Sequence, residues 1–375
     1  MYREIILDKI DEIRRVDKSN MLSFCMDAPK HYEKAAEMAE NIVIEYSRPK
    51  TIIVSGMGGS AIGGELLKDW AWSELAVPVE VCRGYSLPAY VKKSTLVFII
   101  SYSGETEETL STLLEAIQRN CMIICISSGG ILANLAEKMN LPILKVPAGI
   151  PPRAALPYLF IPMLVFMDKL DLASDVEGEI SEAVSIMRKT CMENSPETPL
   201  KENFSKELAL GINGTVPVIY GFGFYRSVVQ RFKQQFNENS KIPAKYEIFP
   251  ELNHNEVVGW EGAGGIAKYF SAIIIRDKEE GEEIRSRIEA TKKAVLKDLA
   301  GIYEIWSRGE SRLAKMLSIL LVGDFVSVYL AILRGVDPTP VKTIDLIKKD
   351  LEDAGIKHRI VEKLKRLADR RCTKK

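Results

Sequence analysis

Short apolar runs alternate along this chain with segments whose apolar residues recur every three or four positions. Thr95–Ile100 is β-branched, aromatic and uncharged, the pattern of a strand buried on both faces. Residues 107–120 follow with Leu110, Leu113, Leu114 and Ile117 at helical spacing. The same alternation predicts strands at Thr51–Ser55, Val79–Cys82, Met122–Ser127 and 143–146, with helices after Gly64, from Ile131 and from Leu156. It resumes at 216–223, Lys245–Phe249, 271–276 and 302–306, with helices at 225–236, at a charged stretch after 276, and at 312–334. Strands joined to helices by short turns predict parallel sheets. The fold class is therefore α/β, with two doubly wound domains, each a mainly parallel β-sheet flanked by helices. Both halves run strand, Gly-containing turn, helix, and read as two copies of one unit.

The remainder is helical. Residues 1 to about 48 are amphipathic, with a break at Pro29, and 171–212 are acidic and helical, a connection between domains. The tail from Lys357 is basic, including Arg359, Lys363, Lys365, Arg366, Arg370 and Arg371, and reads as a solvated amphipathic helix. The expected division is 1–170 (helices plus first domain), 171–212 (connection), 213–352 (second domain) and 353–375 (basic helix). Two stretches imitate membrane spans. One, 156–167, is short and holds Pro157 and Pro162; the other, 316–333, is interrupted by Gly323 and Asp324. Both read as buried helices of a soluble protein, the second of a kind that can cross a subunit interface.

Charge narrows the function by exclusion. Lys+Arg and Asp+Glu are both 51, so nothing global draws the chain to nucleic acid or an anionic membrane. Six scattered cysteines, with Cys121 and Cys125 on one face of a core strand, read as reduced thiols. The N-terminus lacks an apolar signal core, and the expected location is the cytoplasm.

The chemistry gathers at two strand-to-helix turns. After Ser55 come Gly56, Gly58, Gly59, Ser60, Gly63 and Gly64, which bring backbone close to something. The spacing is not a clean dinucleotide fingerprint. No acidic ribose ligand closes the next strand, and no Gly-Lys-Ser/Thr makes a phosphate loop of the ATPase type. The second turn, Ser101-Tyr102-Ser103-Gly104-Glu105-Thr106, sets three hydroxyls at a helix start. An open parallel sheet binds ligands at such strand ends, where helix N–H groups point outward. A phosphate suits Gly58, Gly59 and Ser60 on one turn and Ser101, Ser103 and Thr106 on the other. Glu105, Glu107 and Glu108 should then face solvent.

Six motifs extend this reading. Gly-Met-Gly-Gly-Ser (56–60), Ser-Tyr-Ser-Gly-Glu-Thr (101–106), Pro-Pro-Arg-Ala-Ala (151–155), Asn-Glu-Asn-Ser-Lys (237–241), Leu-Asn-His-Asn-Glu (252–256) and Asp-Pro-Thr-Pro-Val (337–341) occur in this order. Together they resemble the bifunctional phosphoglucose/phosphomannose isomerase family, built from tandem sugar isomerase (SIS) domains of flavodoxin-like type, over roughly residues 35 to 352. The resemblance implies a metal-free aldose–ketose isomerase with no cofactor. It would convert glucose 6-phosphate or mannose 6-phosphate to fructose 6-phosphate through a cis-enediolate. It also implies a homodimer whose active site is completed at the subunit interface.

The resemblance assigns Glu238 as the base moving a proton between C1 and C2; its spacing alone favours a solvated helix-end glutamate. Ring opening needs an imidazole near neutral pH. Of three histidines, His31 reads as a surface or capping residue and His358 lies in the basic tail, leaving His254. The alternative for His254 is a loop histidine bonded to a backbone carbonyl. Its neighbour Glu256 reads as solvated or as an orienter. Arg153, stiffened by two prolines, is the cation for the enediolate, or else a surface ion pair. Lys348 is a second cation and Thr339 a shaper of the sugar pocket, both carried over from the resemblance. Two other readings stand beside it: a non-catalytic SIS module that senses a sugar phosphate, and another SIS isomerase such as an arabinose 5-phosphate or phosphoheptose isomerase.

Overall fold

The structure is a computed structural model that describes residues 6–353 and 355–372. Of the expected N-terminal helices and basic tail, residues 1–5 and 373–375 lie outside the described residues, as do the side chains of Arg370, Arg371 and Cys372. By contact the chain forms two compact units. One comprises Lys30–Gly178 and the segment from Val341 on; the other comprises the segment up to Pro29 and Glu179–Pro340.

The first unit holds five parallel strands, β1 (Thr51–Ser55), β2 (Val79–Cys82), β3 (Thr95–Ile100), β4 (Met122–Ser127) and β5 (Ile143–Lys145). Their order is β2-β1-β3-β4-β5, which puts the reversal of strand order beside β1 and β3. Every residue of β3 and β4 is buried, as uninterrupted apolar runs require in a sheet covered on both faces. Register pairs Val54 with Phe98 and Ile99 with Cys125, so β1 and β3 end level and both open into the turns carrying the glycines and hydroxyls. Helices Gly59–Ala71, Glu107–Gln118, Gly130–Lys138 and Leu156–Lys169 flank the sheet. The helix Ile356–Cys372 packs against helices Glu107–Gln118 and Gly130–Lys138 through Val361, Leu364 and Ala368, so the basic tail is a docked amphipathic helix. Pro29 sits at the expected break: helix Met21–Met26 ends just before it. Pro29 is the second residue of Ala28–Glu40, where a missing N–H forfeits no helical hydrogen bond.

The second unit holds four parallel strands, β6 (Val216–Phe222), β7 (Lys245–Phe249), β8 (Phe270–Arg276) and β9 (Gly301–Trp306), ordered β7-β6-β8-β9. This repeats the first sheet without its fifth strand, as two copies of one unit should. Helix Arg312–Leu333 forms the core, buried along its length except at Arg312, Val322 and Asp324. Its charge at Asp324 is satisfied: Arg231 Nη2 donates at 2.9 Å and Gln235 Nε2 at 2.8 Å, both from helix Arg226–Glu238. An internal carboxylate so paired does not need water. Five described cysteines are free thiols; Cys125 is fully buried and its thiol is pushed up to about 12 by burial.

Candidate active site

The turn after β3 is held by its own hydroxyls. Ser101 is buried; its Oγ lies 2.9 Å from Thr106 Oγ1 and accepts from the Gly104 N–H at 3.1 Å. Ser103 is exposed, its Oγ accepting only a local bond from the Glu105 N–H at 3.2 Å. Ser60 Oγ accepts from the Tyr102 N–H at 3.3 Å, which ties the glycine turn to the hydroxyl turn. Neither Gly58 nor Thr106, the residues preceding the two helices, caps its helix with a side chain. The Glu107 helix start therefore keeps N–H groups for an anion, whereas at the other start the Ser60 and Ala61 N–H groups already donate to the carbonyls of Met57 and Gly58.

Two glycines make this geometry possible. Gly104 has φ +71°, and a Cβ there would strike the carbonyl oxygen of Gly129. Gly59 lies where a Cβ would sit 2.9 Å from the Pro152 carbonyl oxygen, so the 151–155 turn rests directly against the helix start. That contact brings Arg153 to the glycine turn. It is 3% exposed, which removes the surface-ion-pair alternative. Tyr102, which the sequence reading left without a role, pins the approach: its hydroxyl donates to the Pro147 carbonyl at 3.0 Å and accepts from the Ile150 N–H at 2.8 Å. Its place inside the hydroxyl motif was the available signal.

Glu105 is partly exposed but engaged. Its Oε1 accepts from the Ile131 N–H at 3.0 Å and its carboxylate pairs with Lys357. The start of helix Gly130–Lys138 needs an acceptor, and Glu105 supplies it. Glu107 is likewise engaged: it accepts from Tyr85 OH, and that bond, with some burial, holds the phenol well above its usual range.

In the second unit, Glu238 is the half-buried last residue of helix Arg226–Glu238. The segment after it is locked down. Asn239 Nδ2 donates to Ser327 Oγ at 2.9 Å, Ser240 Oγ to the Ser327 carbonyl at 2.6 Å, and Arg334 Nε to the Ser240 carbonyl at 3.1 Å. Lys241 Nζ bridges the carbonyls of Glu238 and, at 2.9 Å, Pro338. It thereby brings Glu238 and Thr339 into one cluster, a role visible only as a lysine closing the Asn-Glu-Asn-Ser-Lys motif.

His254 ends a 3-10 turn, Glu251–His254, just after β7. It is exposed and, among the described residues, has no hydrogen-bond partner, so the carbonyl-bonded alternative has no counterpart. Glu256 is not solvated. Its side chain is 5% exposed, and Oε1 accepts from Trp260 Nε1 at 2.9 Å, Tyr220 OH at 3.1 Å and Lys245 Nζ at 3.2 Å. Burial first, then Glu256, raises the Tyr220 phenol far above its usual range. Glu256 thus fastens the segment after His254 to β6 and β7. His31 is half-buried against Tyr158, with Nδ1 2.8 Å from the hydroxyl, rather than a surface cap. Lys348 lies exposed on helix Lys342–Asp353 of the first unit.

Residues 45–155, which contain the glycine turn, the hydroxyl turn and Arg153, match the SIS domain family. Residues 201–351, which contain Glu238, His254, Thr339 and Lys348, match the bacterial phospho-glucose isomerase C-terminal SIS domain. A bifunctional phosphoglucose/phosphomannose isomerase of Caldicellulosiruptor bescii is 40% identical over 336 residues, 89% of this chain and 99% of that protein. The chain belongs to the bifunctional phosphoglucose/phosphomannose isomerase family. A D-glucosamine-6-phosphate 4-epimerase of Sulfolobus acidocaldarius is 31% identical over 77% of this chain and 92% of that protein, so likeness extends to a second sugar-phosphate chemistry. The crystal structure of a hypothetical protein from Thermus thermophilus has the same fold, with a TM-score of 0.71 at 17% identity over 92% of this chain and 94% of that one.

Proposed function

We propose that the protein interconverts glucose 6-phosphate and mannose 6-phosphate with fructose 6-phosphate, without a metal or cofactor. The observation that carries this reading is the 40% identity spanning 99% of the C. bescii isomerase. The geometry supports it with a neutral cradle of hydroxyls and helix N–H groups beside a buried arginine, suited to a phosphate ester. Gly58, Gly59, Ser60, Ser101, Ser103 and Thr106 hold the phosphate. His254 takes the proton from the C1 hydroxyl and gives one to the ring oxygen, opening the pyranose. Glu238 then removes the proton from C2 of the aldose and returns it to C1, while the hydroxyl proton on O2 passes to O1. Between the two transfers the substrate is a cis-enediolate, whose oxygen charge Arg153 and Lys348 offset. Thr339 shapes the pocket around C2, where both epimers must be accepted. The active species is a cytoplasmic homodimer with the site completed at the subunit interface.

EDTA-treated protein should convert fructose 6-phosphate to both aldose phosphates, read by coupled assays. Loss of turnover on chelation, restored by metal, would refute the metal-free mechanism. Conversion to neither aldose would refute the isomerase reading.

A further inference from the structure

The second sheet repeats the strand order of the first, so the turns after β8 and β9 are the counterparts of those after β3 and β4. Open parallel sheets bind ligands at these strand ends. A cavity of about 550 Å³ opens there, within the size range of small-molecule sites. Its chemistry differs from that of the phosphate cradle. The hydroxyl turn is replaced by Asp277-Lys278-Glu279. The nearby start of helix Arg312–Leu333 is already occupied. Glu182 accepts from the N–H groups of Glu310 at 2.6 Å and Ser311 at 3.0 Å, and Glu179 from that of Leu313 at 3.1 Å. No anion can use that helix end as it could in the first sheet.

Other groups line the cavity instead. Lys189 and Lys278 are exposed at its rim and, among the described residues, make no hydrogen bond or ion pair. Trp306 and Phe204, 43% and 41% exposed, give it an apolar aromatic wall. Glu279 and Glu304 supply acceptors, each already bonded to a lysine or arginine and so held in place. Two unpaired cations fit one anionic group. The carboxylates accept from hydroxyls and disfavour a polyphosphate, and the aromatic wall fits the C–H face of a sugar. We infer that the second sheet carries a separate binding site, at the turns after β8 and β9, for a polyhydroxylated carbohydrate bearing an anionic group.

The probe is 6-phosphogluconate, which carries a carboxylate, a phosphate and hydroxyls and has no carbonyl to isomerise. Equilibrium dialysis of the full chain should find two molecules bound per chain. The Lys189→Glu/Lys278→Glu variant should bind one molecule fewer than the parent, with kcat/KM for fructose 6-phosphate, measured without the probe, changed by less than about twofold. A folded variant that binds as many molecules as the parent overturns the site. Ser101→Ala/Ser103→Ala tests the other position separately. It should also lose one molecule, and its failure to do so would count against the phosphate cradle and not against this site.

Discussion

Ser103 is the hydroxyl of its turn left open to solvent, whereas Ser101 and Thr106 are spent partly on each other. Its proposed partner is a phosphate remote from the reacting carbons. Ser103→Ala should therefore raise KM more than it lowers kcat, and steady-state kinetics with the reverse pattern would place that turn at the reacting end. Glu238→Gln should lower kcat by about two to four orders of magnitude at unchanged fold; a change under threefold would remove it as the base. Arg153 is buried, so its loss tests two roles at once. Arg153→Lys should keep the charge but lose the planar fork, and a fall concentrated in kcat speaks for the enediolate, one concentrated in KM for the phosphate. Single residues were the least legible in sequence where their partners lie far along the chain. Glu105 meets Lys357, and Glu256 meets Tyr220; neither pairing has a local pattern to betray it.

Elements were far more legible. β1, β2, β3, β4 and β7 occupy the predicted spans: β1, β3 and β4 as buried apolar runs bounded by turn residues, β2 and β7 as partly exposed edge strands that carry Glu80 and Glu247. Pro29 marks the break between helices Met21–Met26 and Ala28–Glu40, because proline fits a helix's first turn but not its interior. The turn after β3 depends on Gly104, whose positive φ and contact with Gly129 leave no room for a side chain. Gly104→Ala should cost roughly 1–3 kcal/mol from the backbone alone, seen as a lower Tm, and raise KM with it; an unaltered KM would separate that turn from substrate. The start of helix Arg312–Leu333 gives a pH test. Burial opposes ionisation of Glu182, but the N–H groups of Glu310 and Ser311 and the nearby Lys315 together hold its carboxyl below the usual range. A carboxyl depressed in the folded state contributes stability above the unfolded glutamate range, and that contribution is lost as pH falls through the folded value. Glu182→Gln should thus cost about 1 kcal/mol at neutral pH and flatten the acid limb of stability measured by denaturant titration. An unchanged acid limb would mean that the carboxylate contributes nothing there.

At the scale of the whole molecule, the repeat of one α/β unit was readable from the recurring strand–turn–helix order. The grouping of the segment up to Pro29 with Glu179–Pro340, and of the segment from Val341 with the first sheet, was not. Chain order carries no record of which amphipathic helix returns to which sheet. The site was legible as motifs, and the structure adds what holds each one: Gly59 against Pro152, Tyr102 against 147–150, Lys241 between Glu238 and Pro338. Family membership then joins the two motif sets into one proposed reaction, and that reaction is the central claim. The direct measurement is turnover of the purified, EDTA-treated chain with glucose 6-phosphate and with mannose 6-phosphate, each followed by enzymatic detection of fructose 6-phosphate. The account predicts turnover of both, abolished together by Glu238→Gln. Turnover of neither, or an undiminished rate in that variant, would contradict it.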